Sequence, residues 1–197
     1  MLHRQVAPSV PLISTADART HLRQTYVDVS DGAKIDSLVA ALTYEAEVFC
    51  NRGFLNQTWR YYADGFPTDS NEILLYKGPI SAVSSVAFYD SVGNWSALET
   101  ESFQADIISE PGRVKMAAGV NSWPTTQAGR VNSVMIEFVV GYGDTADLVP
   151  KGIREAILLQ LGSLYTNRED EVMGTISTKL SRNCELALGP YRIPRFS

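Results

Sequence analysis

The sequence predicts an α+β protein: a small helical bundle of about four helices with an inserted antiparallel β-rich module. Three observations carry this. First, the stretch from Leu148 to Asp170 repeats Ile153, Ala156, Ile157, Gln160, Leu161, Leu164 and Tyr165 at three- and four-residue spacing. That spacing lays one mostly apolar stripe along one helix face. Second, Ile35, Leu38, Val39, Leu42, Ala46 and Phe49 form an equally clean stripe earlier in the chain. Third, between Gln57 and Tyr142 the helical period vanishes, and short aromatic and β-branched runs alternate with turn residues. The predicted organisation is a helical body of residues 1–53 and 145–197 ending in a C-terminal arm, with residues 54–144 as the inserted module.

In chain order, residues 1–12 contain Pro8 and Pro11 and read as an extended arm. Ser14 to Asp17 has the form of a capping box, the Ser14 side chain accepting from the Asp17 amide. The helix it opens runs to about Gln24 with Leu22 on its core side, and Val27 to Ser30 connects it to the next. A short link makes the two an antiparallel pair. Asp31 is the expected cap of the second helix. Gly53, just past Asn51-Arg52, is the expected left-handed C-terminal cap. Thr58–Tyr62, Ile73–Tyr76 and Val83–Tyr89 read as strands. Phe103, Ala105 and Ile107 alternate with Gln104 and Asp106, so one face of that strand is predicted apolar. Val114 and Met116 are predicted to share a face. Residues 117–132 read as a loop around Trp123-Pro124. Val134 to Val140 has few polar residues on either side and is predicted to be a central strand covered on both faces. Pro150 gives the third helix a defined start. Gly174 breaks the chain after that helix. Leu180, Asn183, Cys184, Ala187 and Leu188 have the spacing of a short last helix that stops before Gly189-Pro190, after which Tyr191 to Ser197 is expected to be non-helical. The predicted helical core is Leu22, Ile35, Leu38, Leu42, Ile153, Ile157, Leu161 and Leu164.

Composition narrows the function classes. With 45% hydrophobic and 20% charged residues the chain is ordinary globular material. A net charge of −5 lacks the basic face that a nucleic-acid grip needs. It is compatible with a surface that DNA merely passes. The two cysteines, Cys50 and Cys184, sit on predicted helices outside any CxxC pair and read as buried free thiols. The N-terminus has no apolar signal-peptide core, and no run reaches the length of a membrane span.

No arrangement of residues reads as catalytic. The two histidines, His3 in the arm and His21 on the first helix, have no metal-ligand spacing. Neither a GxSxG elbow nor a phosphate loop is present. Gly141-Tyr142-Gly143 is half of a dinucleotide fingerprint and reads as a turn. Glu169-Asp170-Glu171 reads as a solvated helix end. Trp59, Trp95 and Trp123 read as core or interface aromatics. In sequence only Arg60 adjoins one of them, which argues against a base-stacking platform. No cofactor is expected.

The order of many weak landmarks points further. Leu22-Arg23, Ala46-Glu47 and Asn51-Arg52 close helices, and Gln57-Thr58 opens the β part. Asp64-Gly65-Phe66-Pro67 precedes Gly78-Pro79-Ile80-Ser81-Ala82-Val83-Ser84-Ser85-Val86, Tyr89-Asp90 and Gly93. Trp123-Pro124, Gly141-Tyr142-Gly143, Val149-Pro150, Tyr165 with Arg168-Glu169, and Gly189-Pro190-Tyr191-Arg192 follow. From about Leu12 to Arg192 this resembles the head–tail connector adaptor, or head-completion, family of long-tailed phages and gene transfer agents.

The resemblance implies a structural, non-enzymatic protein of a particle neck, present in the host cytoplasm during assembly. It implies a homo-oligomeric ring, typically of twelve copies, that docks on the portal protein and links it to a stopper or tail protein. DNA passes through its lumen without specific binding, and no membrane is involved. The resemblance also implies that residues 186–196 meet the portal, Leu186 and Leu188 among them, with Tyr191, Ile193 and Phe196 as apolar anchors and Arg192 and Arg195 as charge contacts. The free chain is expected to be monomeric, with the ring forming on the portal. The alternative is another neck or tail-completion protein, a stopper or tail terminator, against which the helical ends argue. An enzyme acting on DNA would need a site that the sequence does not offer.

Overall fold

A computed structural model describes residues 1–23, 29–120, 122–166 and 180–194, the side chains at 29–31 and 166 excepted. It is an α+β fold with two antiparallel sheets. The chain divides into two compact units. One comprises Met1–Pro8, Asn56–Tyr142 and the C-terminal residues from Ile193; the other comprises Ser9–Leu55 and Gly143–Arg192.

The first unit holds eight strands: β1 (Leu2–Val6), β2 (Gln57–Ala63), β3 (Glu72–Leu75), β4 (Ile80–Tyr89), β5 (Trp95–Ala97), β6 (Phe103–Asp106), β7 (Gly112–Met116) and β8 (Val134–Val140). A five-stranded sheet has the order β1-β2-β8-β4-β5, and a three-stranded sheet the order β3-β7-β6. As its sequence predicts, β8 is the central strand, with Val134, Met135, Ile136, Phe138 and Val140 all buried. Residues of both sheets share one core, in which Val86, Phe88, Ile136 and Phe138 meet Ile73, Leu75, Val114 and Met116. Trp123 reaches this core from the long loop and stacks on Phe66 with ring centroids 4.6 Å apart and 6° between planes.

Two expectations fail in this unit. The arm is a paired strand, with Leu2 opposite Tyr61 and His3 opposite Arg60. His3 therefore sits in a sheet and not in a free arm. Of the apolar face predicted for Phe103, Ala105 and Ile107, only Phe103 is buried, while Ala105 in β6 and Ile107 just past its end are exposed. The reason is that β6 is an edge strand that turns away at Asp106. The Asp106 carboxylate accepts from the Ile108 and Ser109 amides, the Ser109 hydroxyl and the Arg113 guanidinium. The two Ser109 donors lead the set that holds its carboxyl well below the usual carboxylate range.

Among the described residues the second unit holds four helices: α1 (Thr15–His21), α2 (Val29–Cys50), α3 (Lys151–Thr166) and α4 (Arg182–Leu188). Ser14 caps α1, its Oγ accepting from the Asp17 amide at 3.1 Å. Thr15 donates to Asp36 at 2.6 Å, and the Arg19 guanidinium lies against Gly32. Rising numbers on α1 thus meet falling numbers on α2, and the pair is antiparallel. Helix α2 starts two residues before Asp31, so Val29 and Ser30 are helical and Asp31 lies inside the helix. At its far end Asn51, with φ 54°, takes the left-handed position expected of Gly53. Asn is one of the few residues with a side chain that visits that region readily.

The buried stripe of α3 comprises Ile153, Ala156, Ile157, Gln160 and Leu161, with Leu158 added. Its one polar member is satisfied, since Gln160 Oε1 accepts from the Ser181 amide at 3.1 Å. Ser181 in turn caps α4 by accepting from the Cys184 amide. Of the predicted core, Ile35, Leu42, Ile153, Ile157 and Leu161 are fully buried, whereas Leu22, Leu38 and Leu164 are half-buried. Both cysteines are buried and free. Cys184 donates to the Ala156 carbonyl and Cys50 to the Leu188 carbonyl. Burial pushes the Cys184 thiol up to about 11, so it stays protonated and unreactive.

Candidate docking surfaces

The C-terminal segment was the predicted point of contact with a partner, and the structure divides its residues into two groups. Leu188 at the end of α4 is fully buried, and Ile193 is 1% exposed with its Cδ1 against the bare Cα of Gly78. Both are core residues of the chain itself, which corrects their assignment to the portal contact: a side chain already out of water has no apolar surface left to offer a partner. Leu186, by contrast, is 67% exposed, and Arg192 is exposed. Tyr191 is half-buried, its ring lying over Gly152 at the start of α3. A Cβ at position 152 would lie 2.6 Å from the Tyr191 hydroxyl oxygen, so a side chain there would push the tyrosine aside. Arg195 and Phe196 lie outside the described residues, as do Glu169, Asp170, Glu171 and Gly174.

Residues 189–192 are held in place. Gly189–Tyr191 forms a single 3₁₀ turn, so the helical path runs one turn past the predicted stop at Gly189-Pro190 and takes in Tyr191. The buried Arg52 donates from Nε to the Tyr191 carbonyl. The Arg192 guanidinium lies 5.2 Å from the Phe49 ring centroid, within cation–π range. Nearby, the buried Glu47 accepts from the Phe54 amide at 2.8 Å. The end of α2 is thus a clasp for the C-terminal segment. Sequence reading missed Arg52 because its partner is a backbone carbonyl remote in sequence. Arg52→Ala removes a charge-assisted hydrogen bond from a buried site, a loss of roughly 1.5–3 kcal/mol. The expected result is faster hydrogen exchange and faster proteolysis around residues 189–192, with the β unit unaffected.

A second surface lies at the β4–β5 end of the first unit. Trp95 is 48% exposed and packs on Tyr89 with centroids 4.6 Å apart, while the Arg130 guanidinium covers the Tyr89 ring at 3.5 Å. Val92 and Val131 are exposed as well. Elsewhere in the unit Lys77 lies 4.8 Å from the Trp59 centroid. Cations therefore do meet these aromatics, although sequence adjacency suggested only Arg60. Arg60 instead pairs with Glu137 across the β2–β8 ladder at 2.7 Å. Among the described residues, no group of three or more His, Cys, Asp or Glu is placed to hold a metal ion. Nor is any described helix long and apolar enough to cross a membrane.

Among the described residues, exposed apolar side chains such as Leu186 and Trp95 and the aromatic–cation pairs Arg130–Tyr89 and Arg192–Phe49 stand out on these surfaces. No protein-family model matches the sequence, and no curated protein sequence matches it. Among solved structures, the fold is that of chains in gene transfer agent (GTA) particles. A chain in the neck of an empty GTA particle, computed with C6 symmetry, superposes with a TM-score of 0.79 at 19% identity, covering 100% of this chain and 97% of that one. A chain in the virion of a native GTA particle gives 0.76 at 18% identity with the same coverage. One in the neck of a native GTA particle, computed with C12 symmetry, gives 0.74 at 18%. At these identities the shared property is the fold.

Proposed function

We propose that this chain is a non-enzymatic structural component of the neck of a phage or gene transfer agent particle. Its specific role is the head–tail connector adaptor, a ring of twelve copies that docks on the portal, links it to the stopper or tail, and leaves a channel for DNA. The observation that carries this reading is end-to-end fold likeness to chains in GTA particles, two of them in necks computed with rotational symmetry. A net charge of −5 suits a lumen through which DNA slides without being held. The helical unit, Ser9–Leu55 with Gly143–Arg192, acts as the body of the adaptor, and the β unit, built mainly from Asn56–Tyr142, acts as a module inserted into it. Localisation follows: the host cytoplasm during assembly, then the particle neck.

Among the described residues of the C-terminal segment, Leu186 and Arg192 are exposed and available to a portal, while Leu188 and Ile193 are buried in their own chain. Deleting residues 186–197 would remove core side chains together with the contact, so point variants are the cleaner test. Leu186→Asp combined with Arg192→Glu is expected to leave the circular dichroism spectrum and melting temperature nearly unchanged. It should weaken capture by purified portal at least about tenfold, the effect of losing one energetically dominant contact. Unchanged capture by a folded double variant would rule out Leu186 and Arg192 as the portal contact.

A further inference from the structure

Helix α2 is apolar on two sides. One face carries the buried Ile35, Val39, Leu42, Ala46 and Cys50. At 100° per residue, Ala33, Ser37, Ala40, Tyr44 and Val48 fall on the opposite face. All five are exposed, Tyr44 at 52% and Val48 at 51%. The Ser37 hydroxyl donates back to the Ala33 carbonyl at 2.9 Å, so even the polar member of the row turns its donor toward its own helix. The result is an uncharged strip roughly 22 Å long, at 1.5 Å per residue. Among the described side chains of this helix, the exposed charges Lys34 and Asp36 lie beside the strip rather than in it. A solvated helix normally puts charged residues there, and an uncharged, partly apolar outer face marks a surface that is covered in the working assembly.

We infer that a second copy of this chain covers the outer face of α2, in a head-to-tail contact that receives it on the outer face of α3 around Leu159. This rests on the ring reading above. Two structures that share the fold are necks computed with C6 and C12 symmetry. A ring of more than two copies closes only through a heterologous contact, in which two different patches of one chain meet on neighbouring copies. The second patch must therefore lie away from α2. On α3 the exposed residues Glu155, Leu159 and Ser163 share one face, and Leu159 is 64% exposed. Leu159, with Ser163 one turn after it and Glu155 one turn before, offers one large apolar side chain to a flat row such as Ala33-Ser37-Ala40.

The test uses the full chain and two variants, Ala40→Glu with Val48→Glu, and Leu159→Glu. Glutamate is a good helix former and all three positions are exposed, so both variants are expected to melt as wild type does. Because the free chain is expected to be monomeric at low concentration and to close its ring on the portal, the contact is read as weak self-association, which sedimentation at rising concentration should show for wild type. Each variant alone should associate at least about a hundredfold more weakly, since two apolar groups per contact are replaced or a buried one is charged. Mixing the two variants should restore a dimer and nothing larger, because each retains one intact patch. A wild-type chain that stays monomeric to its solubility limit, a variant that associates normally, or a mixture that stays monomeric would each overturn the inference. Portal capture is a separate readout. A chain that associates through α2 yet ignores portal would sink the neck reading and leave this contact standing.

Discussion

Leu161→Ala is expected to destabilise the helical unit by roughly 2–5 kcal/mol, the range for emptying a leucine site in a packed interior. Leu161 is fully exposed to its own chain and not to water, at 0% accessibility. It lies on the α3 stripe with Ile153 and Ile157, which are equally buried. The helix cannot rotate to refill the site, because Gln160 is tied to the Ser181 amide and Cys184 to the Ala156 carbonyl. Those bonds fix α3 relative to α4, so the lost methyl groups leave a cavity instead of a repacked core. Chemical denaturation should show a lower midpoint with little change in slope. Leu164→Ala, at a half-buried position one turn later, should cost distinctly less. Equal losses at the two sites would mean that α3 continues deeper into a core than its exposure indicates.

Phe138→Ala is expected to cost about 3–5 kcal/mol, with the loss felt in the β unit. Phe138 is at the middle of the central strand, opposite Trp59 on one neighbour and Val83 on the other. Its ring is fully buried in the core shared by both sheets. Phe138→Leu keeps most of the volume and should cost under about 1.5 kcal/mol only if the site tolerates a change of shape. Near-ultraviolet circular dichroism follows this directly, because Trp59, Phe66, Phe88 and Trp123 all border the same core. A Phe138→Ala protein with wild-type midpoint and aromatic signal would show that the two sheets do not depend on a common core.

The helical and β regions were legible in the sequence because each buries one face and repeats its apolar residues with its own period. Ile153 to Leu161 repeats at helical spacing, and Val134 to Val140 stays apolar on both sides of a strand. Both readings follow from chain geometry alone. The Ser14 cap was equally legible, since donor and acceptor lie within one turn. What failed did so where a partner is distant. The first residues read as an arm because nothing in Leu2–Val6 names β2 as its neighbour. Ala105 and Ile107 read as core because alternation cannot tell an edge strand from a central one. Asn51 took the cap expected of Gly53, one residue from the helix end, where boundaries depend on how the following chain leaves.

The C-terminal segment shows the division most clearly. Its residue types announced contact: two aromatic residues, three aliphatic ones and two arginines within eleven positions. Sequence determined that these side chains would be buried against something. Only the tertiary structure decided against what. Leu188 and Ile193 turn inward, Arg52 clasps the Tyr191 carbonyl, and Leu186 and Arg192 are left facing outward. The same holds for α2, whose second apolar row is written in the sequence but becomes a surface only when the first row is seen to be the buried one. Hydrophobicity and periodicity are local properties of a chain, whereas the partner that removes a given side chain from water is set by how distant segments pack.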